Sequence, residues 1–458
     1  MRISEATRAT ATTAACVATA AVLVQAASIP RYPGAPGPVA GLDGGVRLAF
    51  GLPPDLLMLT LWAALAVLTA WTTRSLTRLP LAVVLGAVAL RVVVLDLPPL
   101  LSDDLYRYLW EGRVQAAGFD PFRYAPDAIE LSEVRDALWG KVNHRHVSTI
   151  YPPGALWLFR GVSALWHDPM AWKTLSAAAD LGVLALLAAI GRGRGRSAAW
   201  PTLYALLPLP VLESAGSGHL EAVALVGLAG AVLAHDRGRP TLAALAATAG
   251  GLVKLLPAAL LAPLGLRHGR RLALGLALSA GLTLALAAPF LEAGATLGRG
   301  FNTYYEAWAF NPALFPALEA LTGDPETARA LGVAAGAAWC AGALVRLKDP
   351  AAVMLHVAGA LLLLSPVVHP WYVLWALVPA LIVRSWPWVV LAITAPLSYA
   401  VLRYYDPATG EGWREPWWLN EVVYGPLLVS LAWSTIQRLR SRGSPSDPAP
   451  GSPSPSPT

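Results

Sequence analysis

Apolar runs of roughly bilayer-spanning length follow one another along almost the whole chain, each closed by a short polar break. Spans are predicted at about 9–28, 55–73, 79–97, 172–191, 199–213, 219–235, 272–290, 327–345, 351–368, 370–384, 386–402 and 420–436. The stretch 241–266 differs, because Gly250-Gly251 and Pro257 divide it into two short halves, 241–253 and 255–266. That pattern predicts a hairpin or a re-entrant pair with Lys254 at its tip. A further run, 153–166, is too short to cross and reads as a juxtamembrane or re-entrant helix. The pattern is that of an all-α polytopic membrane protein with about 12–14 transmembrane helices, the count turning on whether the broken pair crosses.

The placement of positive charge orients these spans. Arg2 and Arg8 precede the first run and put the N-terminus in the cytoplasm, and Arg74 and Arg78 mark the next inner turn. Cleavage after Val24-Gln-Ala26 is the competing reading for the first run, which is long for a signal peptide. Arg192, Arg194 and Arg196, then Arg267, Arg270 and Arg271, then Arg438, Arg440 and Arg442 all fall on the same side under this scheme. Two long outer loops result, about 98–171 and 291–326. The division expected is two N-terminal helices over 1–78, a transmembrane catalytic domain over 79–436, and a cytoplasmic Ser/Pro-rich tail, disordered by composition, over 437–458.

Composition agrees with the pattern and removes other classes. Of 458 residues, 56% are hydrophobic and only 14% are charged, too apolar for a soluble chain of this length to keep a solvated exterior. The same numbers exclude a disordered chain and a disulfide scaffold. The net charge of +6 resides in the loop clusters, so it does not indicate a nucleic-acid partner; the lipid bilayer is the partner it implies. Cys16 and Cys340 both lie inside apolar runs and read as small core residues.

Ionisable groups at membrane depth or at its edge are expensive, and each is a candidate for function. Asp103 and Asp104 open the first outer loop. With Ser102 they suit a helix N-cap, but the loop also carries Arg107, Glu111 and Arg113, and 103, 107 and 111 share one helical face. That face would present carboxylate, guanidinium and carboxylate to the membrane surface. The loop closes with His144 and His146, then Tyr151-Pro-Pro. The two His are candidate zinc ligands, but no third ligand stands at metal spacing, so a sugar or a phosphate is the better ligand and no metal is assigned. Arg91 lies about 9 Å below the outer end of its span by helical rise. His219 and Glu221 open a span, Lys254 marks the break, Tyr304, Tyr305, Glu306 and Asn311 lie in the second loop, His369 and Tyr372 open another span, and Arg403 closes one. Taken singly these suit ion pairs and an interfacial aromatic belt; collected on one face around a carboxylate pair, they suit a site.

The segment Asp103-Asp-Leu-Tyr-Arg-Tyr-Leu-Trp-Glu-Gly-Arg113, with Gly118-Phe-Asp-Pro-Phe and Tyr151-Pro-Pro after it, resembles the first outer loop of GT-C superfamily glycosyltransferases. It is most similar to the bacterial polyprenol-phosphate-mannose-dependent mannosyltransferases. Gly218-His-Leu-Glu221, Val253-Lys-Leu-Leu-Pro257, Asn311-Pro-Ala-Leu-Phe315 and Ser365-Pro-Val-Val-His-Pro-Trp-Tyr372 carry the likeness onward, over about 79–436. Two spans precede the acidic loop's own span, where many relatives have none. The resemblance implies transfer of a hexose, mannose by subfamily, from a polyprenyl-phosphate sugar donor to a glycan or lipid-linked acceptor hydroxyl. It implies inversion, no cofactor, and a site on the outer face of a bacterial cytoplasmic membrane.

Such chemistry needs a general base on the acceptor hydroxyl and fixed cations at the leaving phosphate. Asp103 is the candidate base and Asp104 its orienting partner or substitute, the order of the two being open. Arg91, Arg107, Lys254 and Arg403 are the candidate phosphate cations. Glu111, Arg113, His144, His146, Tyr151, His219, Glu221, Tyr305, Asn311, His369 and Tyr372 complete the expected substrate-binding set. Rival readings are a transporter or flippase of lipid-linked sugars, which predicts midplane charges and repeated broken helices, and an O-antigen ligase or polymerase type of enzyme using diphosphate-linked donors.

Overall fold

The computed structural model describes residues 4–28, 54–96, 99, 101–403 and 414–443. Among them there is no β-strand, and one isolated bridge joins Phe310 to Val367. The helices are α1 (Glu5–Ser28), α2 (Pro54–Thr72), α3 (Leu81–Leu95), α4 (Asp104–Ala116), α5 (Pro153–Leu165), α6 (Pro169–Gly193), α7 (Ala199–Leu206), α8 (Pro208–Val211), α9 (Glu221–Asp236), α10 (Pro240–Val253), α11 (Leu261–His268), α12 (Ala273–Ala287), α13 (Arg299–Ala307), α14 (Phe315–Thr322), α15 (Pro325–Arg346), α16 (Pro350–Leu364), α17 (Leu374–Val383), α18 (Trp386–Thr394) and α19 (Leu419–Gly443). Pro169–Gly193, the interrupted run Leu256–Thr296 and Pro325–Arg346 are each long and apolar enough to cross a membrane, and shorter apolar helices accompany them. The chain is an all-α polytopic membrane protein.

The predicted runs correspond to helices, with corrections: the helix of the expected span 351–368 stops at Leu364, before Val367 bridges to Phe310, and that of 386–402 is α-helical only to Thr394 and continues as a 3-10 stretch, Ala395–Arg403. The expected span 199–213 is not continuous: Pro208 lacks an amide hydrogen, Leu207 is extended, and the chain passes through α8 into a one-turn π-helical stretch, Leu212–Gly216. Gly218, at φ +72°, then turns it into α9. The broken pair forms a hairpin as expected, with α10 packed on α11 and Lys254 at the break. The last helix runs to Gly443, so the expected tail begins as helix, and its residues 444–458 lie outside the described residues.

Two polar clusters mark opposite ends of α6. In its first turn Lys173 donates to Leu95 O (2.5 Å) and Val94 O (3.3 Å) at the end of α3. At its other end Arg194 donates to Asp236 (2.7 and 2.9 Å) and Asp349 (2.6 and 3.3 Å), joining the end of α9 to the start of α16. The two clusters are about 31 Å apart by helical rise, close to one hydrocarbon thickness. Arg267 donates to Leu347 O at 2.8 Å beside the second cluster's helices, so basic residues from separate loops gather at that end.

Helices α4 and α5 pack side by side under the first cluster. Gly112 permits their close approach, since a Cβ there would stand 2.2 Å from Phe159 O. Tyr108 stacks on Phe159 (4.9 Å, 11°) and meets Tyr151 and Trp172 edge-on. This aromatic plug fixes the helix whose N-terminus carries the carboxylate pair.

Candidate active site

The acidic pair sits where α4 begins. Asp103 occupies the N-cap position, yet its carboxylate makes no capping bond; Ser102 Oγ accepts instead from Asp104 N at 3.3 Å. Both carboxylates are taken by one amide, Asn143 Nδ2, which donates to Asp103 Oδ1 at 2.6 Å and Asp104 Oδ1 at 2.9 Å. Asn143 is held in turn by Arg107, whose guanidinium donates to the carbonyls of Asn143 (3.4 Å), His144 (3.1 Å) and Val147. Arg107 Nε pairs with Glu111 Oε1 at 2.9 Å, and Thr149 Oγ1 donates to Glu111 Oε2 at 2.7 Å. The shared helical face of 103, 107 and 111 therefore exists, but Arg107 and Glu111 are buried and pin the 143–149 loop from within.

Asp103 is open to solvent while Asp104 is half-buried. The protein packed around Asp103 desolvates it and, with the charge of Asp104, pushes its pKa up to about 6, against the Asn143 hydrogen bond. Desolvation acts on Asp104 as well, but His219, Asn143 and Lys254 outweigh it and hold its pKa below the usual carboxylate range. Two adjacent carboxylates are thus driven in opposite directions, the pattern that separates a proton acceptor from a permanently charged partner.

The facing wall is built from distant parts of the chain. Lys254 Nζ stands 3.1 Å from Glu221 Oε1 and over the rings of Tyr151 (5.3 Å) and Tyr372 (6.0 Å). Glu221 is fully buried at the start of α9. The rings of His219, Trp371 and His369 form a column, with centroids 3.9 and 4.3 Å apart. Burial pushes the His369 pKa down to about 3, so that ring is neutral. Tyr372 stacks on Trp375 and shares a 2.8 Å hydroxyl hydrogen bond with Tyr304. His144, at φ +42°, sets its ring edge-on to Trp308 at 4.7 Å.

Not every expected residue joins this cluster. Arg91 spends its guanidinium inside the bundle, donating to Asp180 (2.8 and 2.6 Å), Ala205 O (2.5 Å) and Ala87 O (3.1 Å), while Tyr204 OH donates to Asp180 at 2.6 Å. Four of the five N–H groups of this buried guanidinium are taken inside the protein, which sets it apart from a lipid phosphate, and Arg107 is spent in the same way. Arg113 donates to Val134 O at 2.7 Å and lies 3.6 Å from Asp136, within the loop. His146 is exposed beside His144. Tyr305 points outward, and Tyr304 is the tyrosine of that pair that reaches the site. Asn311, at φ +46°, is a joint of the second loop: its amide nitrogen donates to Glu415 (3.1 and 3.2 Å) and its carbonyl accepts from Tyr424 OH (2.7 Å). The side chain of Arg403 lies outside the described residues. Among the described residues, no three His, Cys, Asp or Glu stand together as a metal site.

Sequence reasoning missed Asn143, Asp180 and Glu213. Asp180 and Glu213 are lone carboxylates within apolar runs, which is the signal that finds them. Asn143 in a polar loop gives none.

An all-α membrane bundle that carries a carboxylate pair faced by a lysine, histidines and stacked aromatics has the equipment of a membrane glycosyltransferase. The N-terminal domain model of the alpha-(1->6)-mannopyranosyltransferase (MptA_B) family matches residues 9–270, and the MptB C-terminal domain model matches residues 325–435. The chain belongs to this mannosyltransferase family. Asp103, Asp104, His219 and Lys254 lie within the first match and His369 and Tyr372 within the second, with Tyr304 between them. No curated protein and no solved structure matches the chain.

Proposed function

We propose that the protein transfers mannose, with inversion, from a polyprenyl-phosphate donor to a glycan or lipid-linked acceptor at the outer face of a bacterial cytoplasmic membrane. Asp103 takes the proton from the acceptor hydroxyl, whose oxygen attacks the anomeric carbon. The bond from that carbon to the phosphate oxygen breaks, and its electron pair leaves with the polyprenyl phosphate. Asp104 stays ionised and orients the acceptor, and Lys254 meets the charge developing on the phosphate. The reading is carried by the opposed behaviour of the two carboxylates beside a lysine at a helix break. The Arg91–Asp180 pair is buried in the bundle, as a transporter would require, but it is held by the pair itself and by Tyr204 OH rather than left for a cargo.

Purified protein in detergent is expected to move mannose from polyprenyl-phosphate mannose to a mannoside acceptor, giving a product of inverted anomeric configuration by NMR coupling constants. Transfer only from a nucleotide sugar, or from a diphosphate-linked donor, rejects the reading. For orientation, reporters fused at Arg194 or Arg270 are expected to read cytoplasmic and those near Glu130 or Gly323 periplasmic; a cytoplasmic signal at Glu130 would place the carboxylate pair on the wrong side.

A further inference from the structure

The wall facing the carboxylates contains a dyad that the reaction as written leaves unused. Glu213, 1% exposed in the π-helical stretch, accepts from Tyr399 OH on both oxygens (2.8 and 3.0 Å) and lies 2.8 Å from His219 Nδ1. The rest of His219 is held as firmly. Its backbone N–H donates to Glu213 O (2.9 Å), its carbonyl accepts from Ser176 Oγ (2.6 Å), and its ring rests on Trp371. Nε2 alone is left over, buried and without a hydrogen-bond partner. Both oxygens of Glu221 are likewise buried without a hydrogen bond, and Oε1 lies 3.1 Å from Lys254 Nζ. A histidine clamped at one nitrogen by a buried carboxylate, with the other nitrogen idle two residues before the glutamate that meets Lys254, is arranged to serve something that is not part of the protein.

Resting on the donor class proposed above, we infer that Glu213 is a positioning residue. It holds His219 in the doubly protonated form, so that Nε2–H and the Lys254 ammonium together seat the phosphate of the polyprenyl lipid. The charges around the imidazole favour that form. Asp103 and Asp104 face it from α4, Glu221 from α9 and Glu213 from the π-helical stretch, with the Tyr399 hydroxyl beside Glu213. The cations on that wall are Lys254 and, backing Gly218 from α6, Lys173, whose ammonium is taken by the end of α3; His369 across Trp371 is neutral. Among these charges the Glu213 carboxylate is the one in contact, 2.8 Å from Nδ1. Two cations also match the charge count. The donor is a phosphodiester with one negative charge, and cleavage leaves a phosphomonoester that gains a second. His219 keeps its proton throughout and stabilises that added charge.

The test measures binding of undecaprenyl phosphate, with undecaprenol as the uncharged control, to the purified protein in nanodiscs at about pH 8 and about pH 5.5, a window that brackets the ordinary histidine pKa. Wild type is expected to bind the phosphate at both. Glu213→Gln, nearly isosteric, is expected to bind about 10- to 100-fold more weakly at the higher pH, the worth of one charge-assisted hydrogen bond, and to recover at the lower. His219→Ala is expected to be weak at both, and adding Glu213→Gln to it to change nothing further. Wild-type binding by Glu213→Gln at the higher pH overturns the inference. Loss without recovery on acidification also overturns it, because Glu213 would then act only as a prop. Failure of the wild-type protein to prefer undecaprenyl phosphate over undecaprenol strikes instead at the donor reading beneath it.

Discussion

Asp103→Asn is expected to reduce single-turnover transfer by about two to four orders of magnitude while donor binding persists. The amide fills the same space and still accepts the Asn143 hydrogen bond, so what it removes is the proton acceptor. A loss through helix capping is excluded by geometry, because the Asp103 carboxylate makes no capping bond to lose. Asp104→Asn is expected to cost less at saturating substrate. Asp104 is held in its charged form by His219, Asn143 and Lys254, and a carboxylate so stabilised is a poor base. The pH profile separates the roles further. With Asp103 at about 6, wild-type kcat/KM rises with pH through that region, since only the ionised carboxylate accepts a proton. Asn143→Ala removes a bond that favours the charged form and shifts this limb to higher pH. A dead Asp104→Asn beside a mild Asp103→Asn would reverse the assignment, and full activity in both would make the pair structural.

The helices were legible because bilayer-length apolar runs leave few alternatives, and the broken pair because Gly250-Gly251 and Pro257 announce it. The acidic pair and Lys254 were legible for a related reason: charge at the edge of an apolar run is costly enough to stand out. Helical spacing also placed Arg107 and Glu111 correctly on one face with Asp103. What spacing cannot supply is what that face meets. Here it meets the carbonyls of Asn143, His144 and Val147, so the expected membrane-facing triad became the clamp that presents Asn143. The same blindness to partners made Arg91 a phosphate candidate, when Asp180, 89 positions later, already holds it. Tyr304 and Tyr305 are indistinguishable by sequence, and the turn of α13 decides which one reaches Tyr372.

Lys254→Ala is expected to raise the KM for the polyprenyl-phosphate donor by about 10- to 100-fold, the range for a lost charge-assisted hydrogen bond to phosphate. The variant also leaves Glu221, fully buried, without its counter-ion, and an unpaired buried charge costs stability by about 3–5 kcal/mol. A simple activity loss therefore does not distinguish a phosphate ligand from half of a structural pair. Lys254→Ala combined with Glu221→Gln does, because the neutral amide removes the stranded charge. The double variant is expected to regain most of the melting temperature lost by Lys254→Ala in detergent while keeping its weakened donor use. Recovery of donor KM together with stability would mean that Lys254 serves only to neutralise Glu221, and the phosphate would then have to be met by His219 without it. Glu221→Gln alone supplies the opposite sign: it frees Lys254 from its 3.1 Å partner, and donor KM is expected to stay level or fall.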